Sequence, residues 1–275
     1  MLNAFTVDLE EWFHICGVTA LEPARWDALP SRVELTTRLL LDLLDETRTR
    51  ATFFTLGWIA DRYPRLVGEI SAAGHDIGSH GYWHRRAYEM GEAAFIEDVQ
   101  ASRVALSAAG VERVVAFRAP EWSINDRAPW ALEALVRQGF TTDASMAPVK
   151  IVGNVRYARR PFVQVTPAGP ILEAPPLVCD RFGQVMPIGW GWGLRMSSAR
   201  RVLHEISRIN QIGWPVVLTV HPWELDPVPP TVALPARLRF AHYFRLRGFA
   251  RRLRTILMGS AFGPLEASVG HLRSA

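Results

Sequence analysis

Asp8 and Glu10 stand one residue apart in TVDLE, where the alternation of a strand sets both carboxylates on one face, a few ångströms apart. Two such carboxylates resist joint ionisation unless a cation or an arginine lies between them. His80 and His84, in HGYWH, have the spacing that puts both imidazoles on one side of a helical turn, as neutral nitrogen donors for a borderline cation such as zinc. With one carboxylate from another strand end they leave a coordination position open for water, as a hydrolytic metal requires. Arg118, in RAPEW, carries a fork that can hold one carboxylate in place and ionised. His221, in LTVHPWE, is placed to give a proton to a departing amine. Taken singly, each has an ordinary structural reading: a solvated acidic pair, core or surface histidines, a structural arginine. Together they describe metal-assisted hydrolysis.

Strands must deliver these groups. The pattern predicts a strand over residues 2–8, then a helix opened by Ser31 and Glu34 in capping-box spacing, with Val33, Leu39, Leu40, Leu43 and Leu44 at helical period. Further strands are expected at ATFFTLG (51–57), HDIGSH (75–80), VVAFRAP (114–120), TTDASM (141–146) and PVVLTVHP (215–222). Helices over about 60–74, 92–109, 125–138 and 198–212 alternate with them, several closed by glycine. Residues 150–196 lose this pattern and read as an insertion of hairpins and loops. Strands alternating with helices imply a parallel sheet, and polar candidates at the strands' C-terminal ends favour a (β/α) barrel over an open doubly wound sheet.

Composition removes several alternatives. The chain has 275 residues, 49% of them hydrophobic, enough for one sizeable core. Neither a leader nor an apolar run of membrane-spanning length is visible, so a soluble, cytoplasmic protein is expected. Cys16 and Cys179 form no metal-binding pattern and read as structural thiols. Lys150 is the one lysine, so Schiff-base and P-loop chemistry have a single loop candidate.

TVDLEEWFH, ATFFTLGWIA, SHGYWH, RAPEWS, TTDASM and LTVHPWELDP, in this order, resemble the motifs of the NodB-type polysaccharide deacetylases, carbohydrate esterase family 4. HPWELDP and HYFRLRGFARRLRTIL resemble, more narrowly, the deacetylases of exosortase and exopolysaccharide loci with their DUF3473-like C-terminal region. The resemblance implies a distorted (β/α)7–8 barrel over residues 1–230, followed by a basic helical extension over 231–275. It implies Asp8 as catalytic base, Glu10, His80 and His84 as ligands of a divalent metal, zinc by ligand type, Arg118 as partner of Asp8, His221 as acid and Asp143 as the residue tuning His221. It further implies removal of N-acetyl groups from a bacterial exopolysaccharide or its lipid-linked precursor, with an oxyanion held near the backbone of Glu121. Two departures stand out: the commonest pattern has adjacent aspartates where this chain has Asp8 and Glu10, and the charge of Glu121 beside the oxyanion would oppose catalysis unless it faces outward.

Trp122, Trp190 and Trp192, the last two in GWGWG, and Arg195 after them are candidates to line a saccharide wall, with core packing as the competing reading. From Pro235 to Arg254 the chain carries Arg237, Arg239, Arg245, Arg247, Arg251, Arg252 and Arg254 without an acid, a stretch suited either to an anionic membrane surface or to packing on the barrel. Nothing resembles a nucleic-acid reading motif. A related barrel acting on a small cyclic or linear amide, and a silent glycan-binding module, are the alternatives.

Overall fold

Strand β1 (Asn3–Leu9) is buried along its whole length, as expected of a central strand in a parallel sheet covered on both faces. The computed structural model describes residues 1–181 and 183–274. β2 (Thr52–Thr55), β3 (Asp76–Ser79), β4 (Ala116–Phe117) and β5 (Thr142–Asp143) follow, each parallel to its predecessor. Helices Val33–Glu46, Pro64–Ala72, Glu92–Ala108 and Ala131–Arg137 make the crossovers. β6 (Phe162–Thr166) and β7 (Gly169–Glu173) form an antiparallel hairpin whose second arm runs parallel to β5. β8 (Val178–Arg181) and β9 (Gln184–Pro187) form a second hairpin, and β10 (Val217–Val220) lies parallel to β1.

The ring is completed by irregular chain between β7 and β10. Ala174 N donates to Asp143 O at 2.9 Å, Leu177 N to Val217 O at 3.0 Å and Thr219 N to Gly189 O at 2.8 Å. This is the expected distorted barrel, with one wall made of non-repetitive backbone whose polar groups are still paired. The segment over 150–196 is therefore only partly an insertion, because β7 and residues 174–177 belong to the wall.

Local chemistry moves several expected boundaries. The helix expected from Asn125 begins at Ala131, because Pro129 disfavours helical backbone at Ala128 and the Asn125 side chain caps a turn by accepting from Arg127 N. The VVAFRAP strand keeps a ladder only at Ala116–Phe117; Pro120 lacks an N–H, and Glu121 and Trp122 turn off with φ of 52° and 57°. Ser31 does not cap the helix Val33–Glu46. The Glu11 carboxylate does so instead, accepting from Arg32 N at 3.0 Å and Val33 N at 3.1 Å, and from the Ser31 hydroxyl. A buried anion at a helix N-terminus satisfies orphan donors and the positive end of the dipole. Glu11→Ala is expected to cost about 1–2 kcal/mol, read by urea unfolding.

The C-terminal region is built into the barrel. β11 (Phe262–Gly263) pairs with β1, and helix Phe249–Gly259 buries Phe249, Leu253, Ile256 and Leu257 against the body. Each such side chain contributes roughly 1.5–3 kcal/mol of burial. Arg254 pairs with Glu46 on helix Val33–Glu46 at 2.8 Å. That half of the arginine-rich stretch is thus a packed helix with a solvated face. No helix among the described residues is long and apolar enough to cross a membrane.

Candidate active site

Asp8 lies near the C-terminal end of β1, and Glu10 follows just past it on the same face, as alternation requires. Arg118, just past β4, is fully buried and reaches across the barrel: its Nη1 donates to Asp8 Oδ1 at 2.7 Å and Thr6 Oγ1 at 2.8 Å, and its Nε to Ala144 O at 2.9 Å. Burial raises the Asp8 pKa, but Arg118, with His80 and His221, outweighs it and holds the carboxyl below its ordinary value. Asp8 is therefore a carboxylate held ionised and in one orientation.

His80 follows β3, and its Nδ1 lies 2.7 Å from Arg118 O. A carbonyl can only accept, so Nδ1 carries the proton and Nε2 keeps its lone pair. Burial pushes the His80 pKa down to about 4, which keeps the ring neutral. No helix forms at HGYWH. Gly81, with φ of 74°, opens a turn that the Asp98 carboxylate caps at Tyr82 N (2.7 Å) and Trp83 N (3.1 Å), and His84 itself takes φ of 51°. The turn delivers what a helix was expected to: the two imidazole centroids are 5.4 Å apart. Cys16 adds a support that sequence reading missed. Its thiol donates to His84 O at 3.1 Å and lies 3.5 Å from His84 Nδ1, which leaves Nε2 facing Glu10.

Glu10, His80 and His84 present ligand atoms within 4.8 Å of one another, all three buried. His84 Nε2 is 2.7 Å from Glu10 Oε2, yet that oxygen has no well-oriented hydrogen-bond donor. Burial opposes charge on His84, while Glu10 raises its pKa well above the usual value. A buried carboxylate oxygen lacking a donor, with ligand atoms of two imidazoles within 4.8 Å, fits a divalent cation. Glu10, His80 and His84 would hold it.

His221, next after β10, closes the other side. Its Nε2 is 3.1 Å from Glu10 Oε1 and 3.8 Å from Asp8 Oδ2, and its Nδ1 is 3.2 Å from Glu224 Oε2. Burial lowers its pKa, but Glu10 and Glu224 outweigh that and push it up to about 9.

Two expected roles need correction. Asp143 is fully buried, but its oxygens accept from Ser145 Oγ at 2.6 Å and Ser145 N at 3.1 Å, and β-sheet register sets it beside Glu173. Burial raises its pKa, and burial together with the charge of Asp143 raises that of Glu173 well above its usual value. Among the described residues the side-chain partner of His221 Nδ1 is Glu224. Arg195 is likewise no substrate contact. It is fully buried, and its Nε donates to Glu224 Oε1 at 2.7 Å while its Nη atoms donate to Ala241 O and Phe244 O.

The tryptophans divide. Trp122 and Trp190 are buried against each other, centroids 5.1 Å apart, with Ala147, Val149 and Val178, and the Arg118 guanidinium lies 4.5 Å from the Trp122 ring. They mainly back the site wall. Trp192 is half-buried, 6.3 Å from Phe240. GWGWG is not a flexible wall: a Cβ at Gly189 would meet Leu177 and one at Gly193 the Pro187 carbonyl, so the glycines permit close packing. Glu121 turns its carboxylate to Arg86 Nε at 2.7 Å and Cys16 N at 3.1 Å, which neutralises the charge that seemed to oppose an oxyanion. The His221 and Glu224 spacing, with Pro222 at the first helical position, is capping-box spacing and was the available signal for Glu224.

Residues 25–141 match the family model described as polysaccharide deacetylase, and residues 144–269 match a domain of unknown function, DUF3473. A peptidoglycan-N-acetylglucosamine deacetylase of Bacillus cereus is 32% identical over 87 residues, 32% of this chain and 40% of that protein. Chitin deacetylase 1 of Saccharomyces cerevisiae is 31% identical over 96 residues, 35% of this chain and 31% of that protein. The matched stretches span less than two thirds of these relatives. Among solved structures, a Mycobacterium smegmatis protein described as a polysaccharide deacetylase superposes with a TM-score of 0.64 at 18% identity, over 99% of this chain and 91% of that one. An allantoinase superposes with a TM-score of 0.61 at 17% identity, over 99% and 90%. At these identities the likeness is one of fold. Residues 25–141 thus resemble the polysaccharide deacetylases and residues 144–269 the DUF3473 region, the two matches together spanning most of the chain.

Proposed function

We propose that this protein hydrolyses N-acetyl groups from N-acetylhexosamine units of a bacterial exopolysaccharide or its lipid-linked precursor, with a divalent cation, Zn²⁺, held by Glu10, His80 and His84. The observation that carries the reading is the convergence of an Arg118-held carboxylate, the His221 imidazole and the three-ligand cluster in one buried site. When bound, the cation polarises the acetamide carbonyl and acidifies water. Asp8 accepts the proton of the attacking water, and the backbone N–H of Glu121 would donate to the developing oxyanion. His221 gives its Nε2 proton to the sugar nitrogen as the C–N bond breaks. Water's hydroxyl ends on the acyl carbon, leaving acetate and a free amine.

The test is acetate release from chito-oligosaccharides and from the host's exopolysaccharide by chelated and zinc-reloaded protein, beside His84→Ala. Release restored by zinc and lost in the variant supports the reading. Zinc uptake without release from any glycan points to a small cyclic or linear amide, and no uptake removes the assignment.

The same reading includes contact with an anionic membrane. Phe240 and Phe244 stack with centroids 4.5 Å apart and are 42% and 38% exposed, among exposed Arg237, Arg239, Arg245 and Arg247. Exposed aromatics interleaved with arginine suit an interface better than an acidic polymer in water. Salt-sensitive co-sedimentation with phosphatidylglycerol vesicles, reduced by Phe240→Ser with Phe244→Ser, is expected; no co-sedimentation at low salt sinks this part.

A further inference from the structure

We infer that Glu224, itself anchored by Arg195, is the positioning residue that aims His221 at the scissile nitrogen, so that the DUF3473 region supplies the acid side of the site. This rests on the reading of His221 as proton donor. Both Glu224 and Arg195 are fully buried, and their contact, Arg195 Nε to Glu224 Oε1 at 2.7 Å, leaves Oε2 to serve His221 alone. Oε2 meets that residue twice: it accepts from His221 N at 2.9 Å and faces Nδ1 at 3.2 Å. Backbone and ring are thus fixed by one oxygen, and the ring cannot turn about its side-chain torsions without losing the second contact.

The ring plane is fixed separately. Trp223 stacks on His221 with centroids 5.1 Å apart and planes 26° apart, and His242 stacks in turn on Trp223 at 4.1 Å and 23°. His242 lies on helix Ala236–Tyr243, the same segment whose Ala241 carbonyl, with that of Phe244, receives the Arg195 guanidinium. The far ends of both supports therefore converge on residues 241–244. With Nδ1 occupied, Nε2 is left as the nitrogen pointing at Asp8 and Glu10, where the reacting amide must sit. A second carboxylate partner for this imidazole, Asp143, is committed elsewhere, to Ser145 and Glu173. A buried carboxylate that orients an imidazole through Nδ1 is the arrangement by which hydrolases fix tautomer and aim.

Leaving-group dependence separates this role from mere support. Deacetylation of an amino sugar needs a proton on nitrogen, whereas p-nitrophenolate departs without one. In zinc-loaded protein, Glu224→Gln is expected to lower kcat on a chito-oligosaccharide by about 10²-fold, with KM and zinc affinity within about threefold and p-nitrophenyl acetate hydrolysis equally little changed. If both substrates fall together, or neither falls, the inference is overturned. Should the single variant leave Arg195 unpaired and the chain unfolded, Arg195→Met with Glu224→Gln removes the pair as a unit and carries the same expectation. His221→Ala is run beside them. Selective loss in His221→Ala but not in the Glu224 variants overturns the positioning role alone, while absence of selective loss in His221→Ala overturns the reading of His221 as donor.

Discussion

Asp8→Asn lowers acetate release from an N-acetylglucosamine oligomer by about 10²- to 10⁴-fold, the usual worth of a placed general base, while zinc uptake persists. The substitution is close to isosteric, and the amide oxygen still accepts from Arg118, whose Nη1 sits 2.7 Å from Asp8 Oδ1. What disappears is the capacity to take a proton from water. Zinc uptake persists because the cluster of Glu10, His80 and His84 does not use Asp8. Single-turnover acetate release with zinc content measured on the same sample decides the matter. Full activity with zinc bound would exclude Asp8 as the base, and loss of zinc would make it a ligand.

Arg118→Met destabilises the chelated protein by about 3–5 kcal/mol at neutral pH, because it strands a buried carboxylate rather than deleting a pair. Arg118 is fully buried, binds three oxygens and lies 4.3 Å from the Phe54 ring, so water does not replace it. The pH dependence has a definite sign. In the native chain the folded pKa of Asp8 lies below its unfolded value, so the pair's stabilisation is present above the unfolded pKa of about 3.9 and is lost as pH falls through the folded value. Without Arg118, burial, the largest influence on this carboxyl, acts with less opposition and raises the folded pKa. The variant's deficit should then shrink as pH falls towards 4, since both states become protonated. Urea unfolding of both proteins at pH 7 and pH 4 reads this directly, and a deficit independent of pH would show that packing, not charge, sets the cost. Arg118→Lys does not rescue, because a point charge cannot serve Asp8, Thr6 and Ala144 together.

Much of the site was legible because its parts are local. Asp8 and Glu10 share a face by strand alternation, and Arg118 and His221 follow β4 and β10 directly, so short motifs carried both identity and approximate place. His80 and His84 met as expected, although through a capped turn with positive φ at Gly81 and His84 instead of a helix, since spacing constrains which side chains can meet more tightly than it constrains the backbone between them.

Tertiary structure decided the partners. The helix Val33–Glu46 is capped by Glu11 rather than by Ser31 and Glu34, because the end of β1 brings a buried carboxylate to its N-terminus. The family resemblance offered Asp143 to His221, whereas the structure gives it Glu224. Register across β5 and β7 commits Asp143 to Glu173 and Ser145, while the turn after β10 folds Glu224 back onto His221. Arg195 stood beside two tryptophans as a candidate for a saccharide wall, yet the helix Gly191–Met196 carries it inside, where Glu224 and two carbonyls compensate its charge. Local sequence thus determined which groups stand at the strand ends, since alternation and turns act over a few residues. Which buried charge faces which depended on the closure of the barrel through irregular chain, because desolvation admits an ionised group only where a partner from a distant segment arrives to meet it.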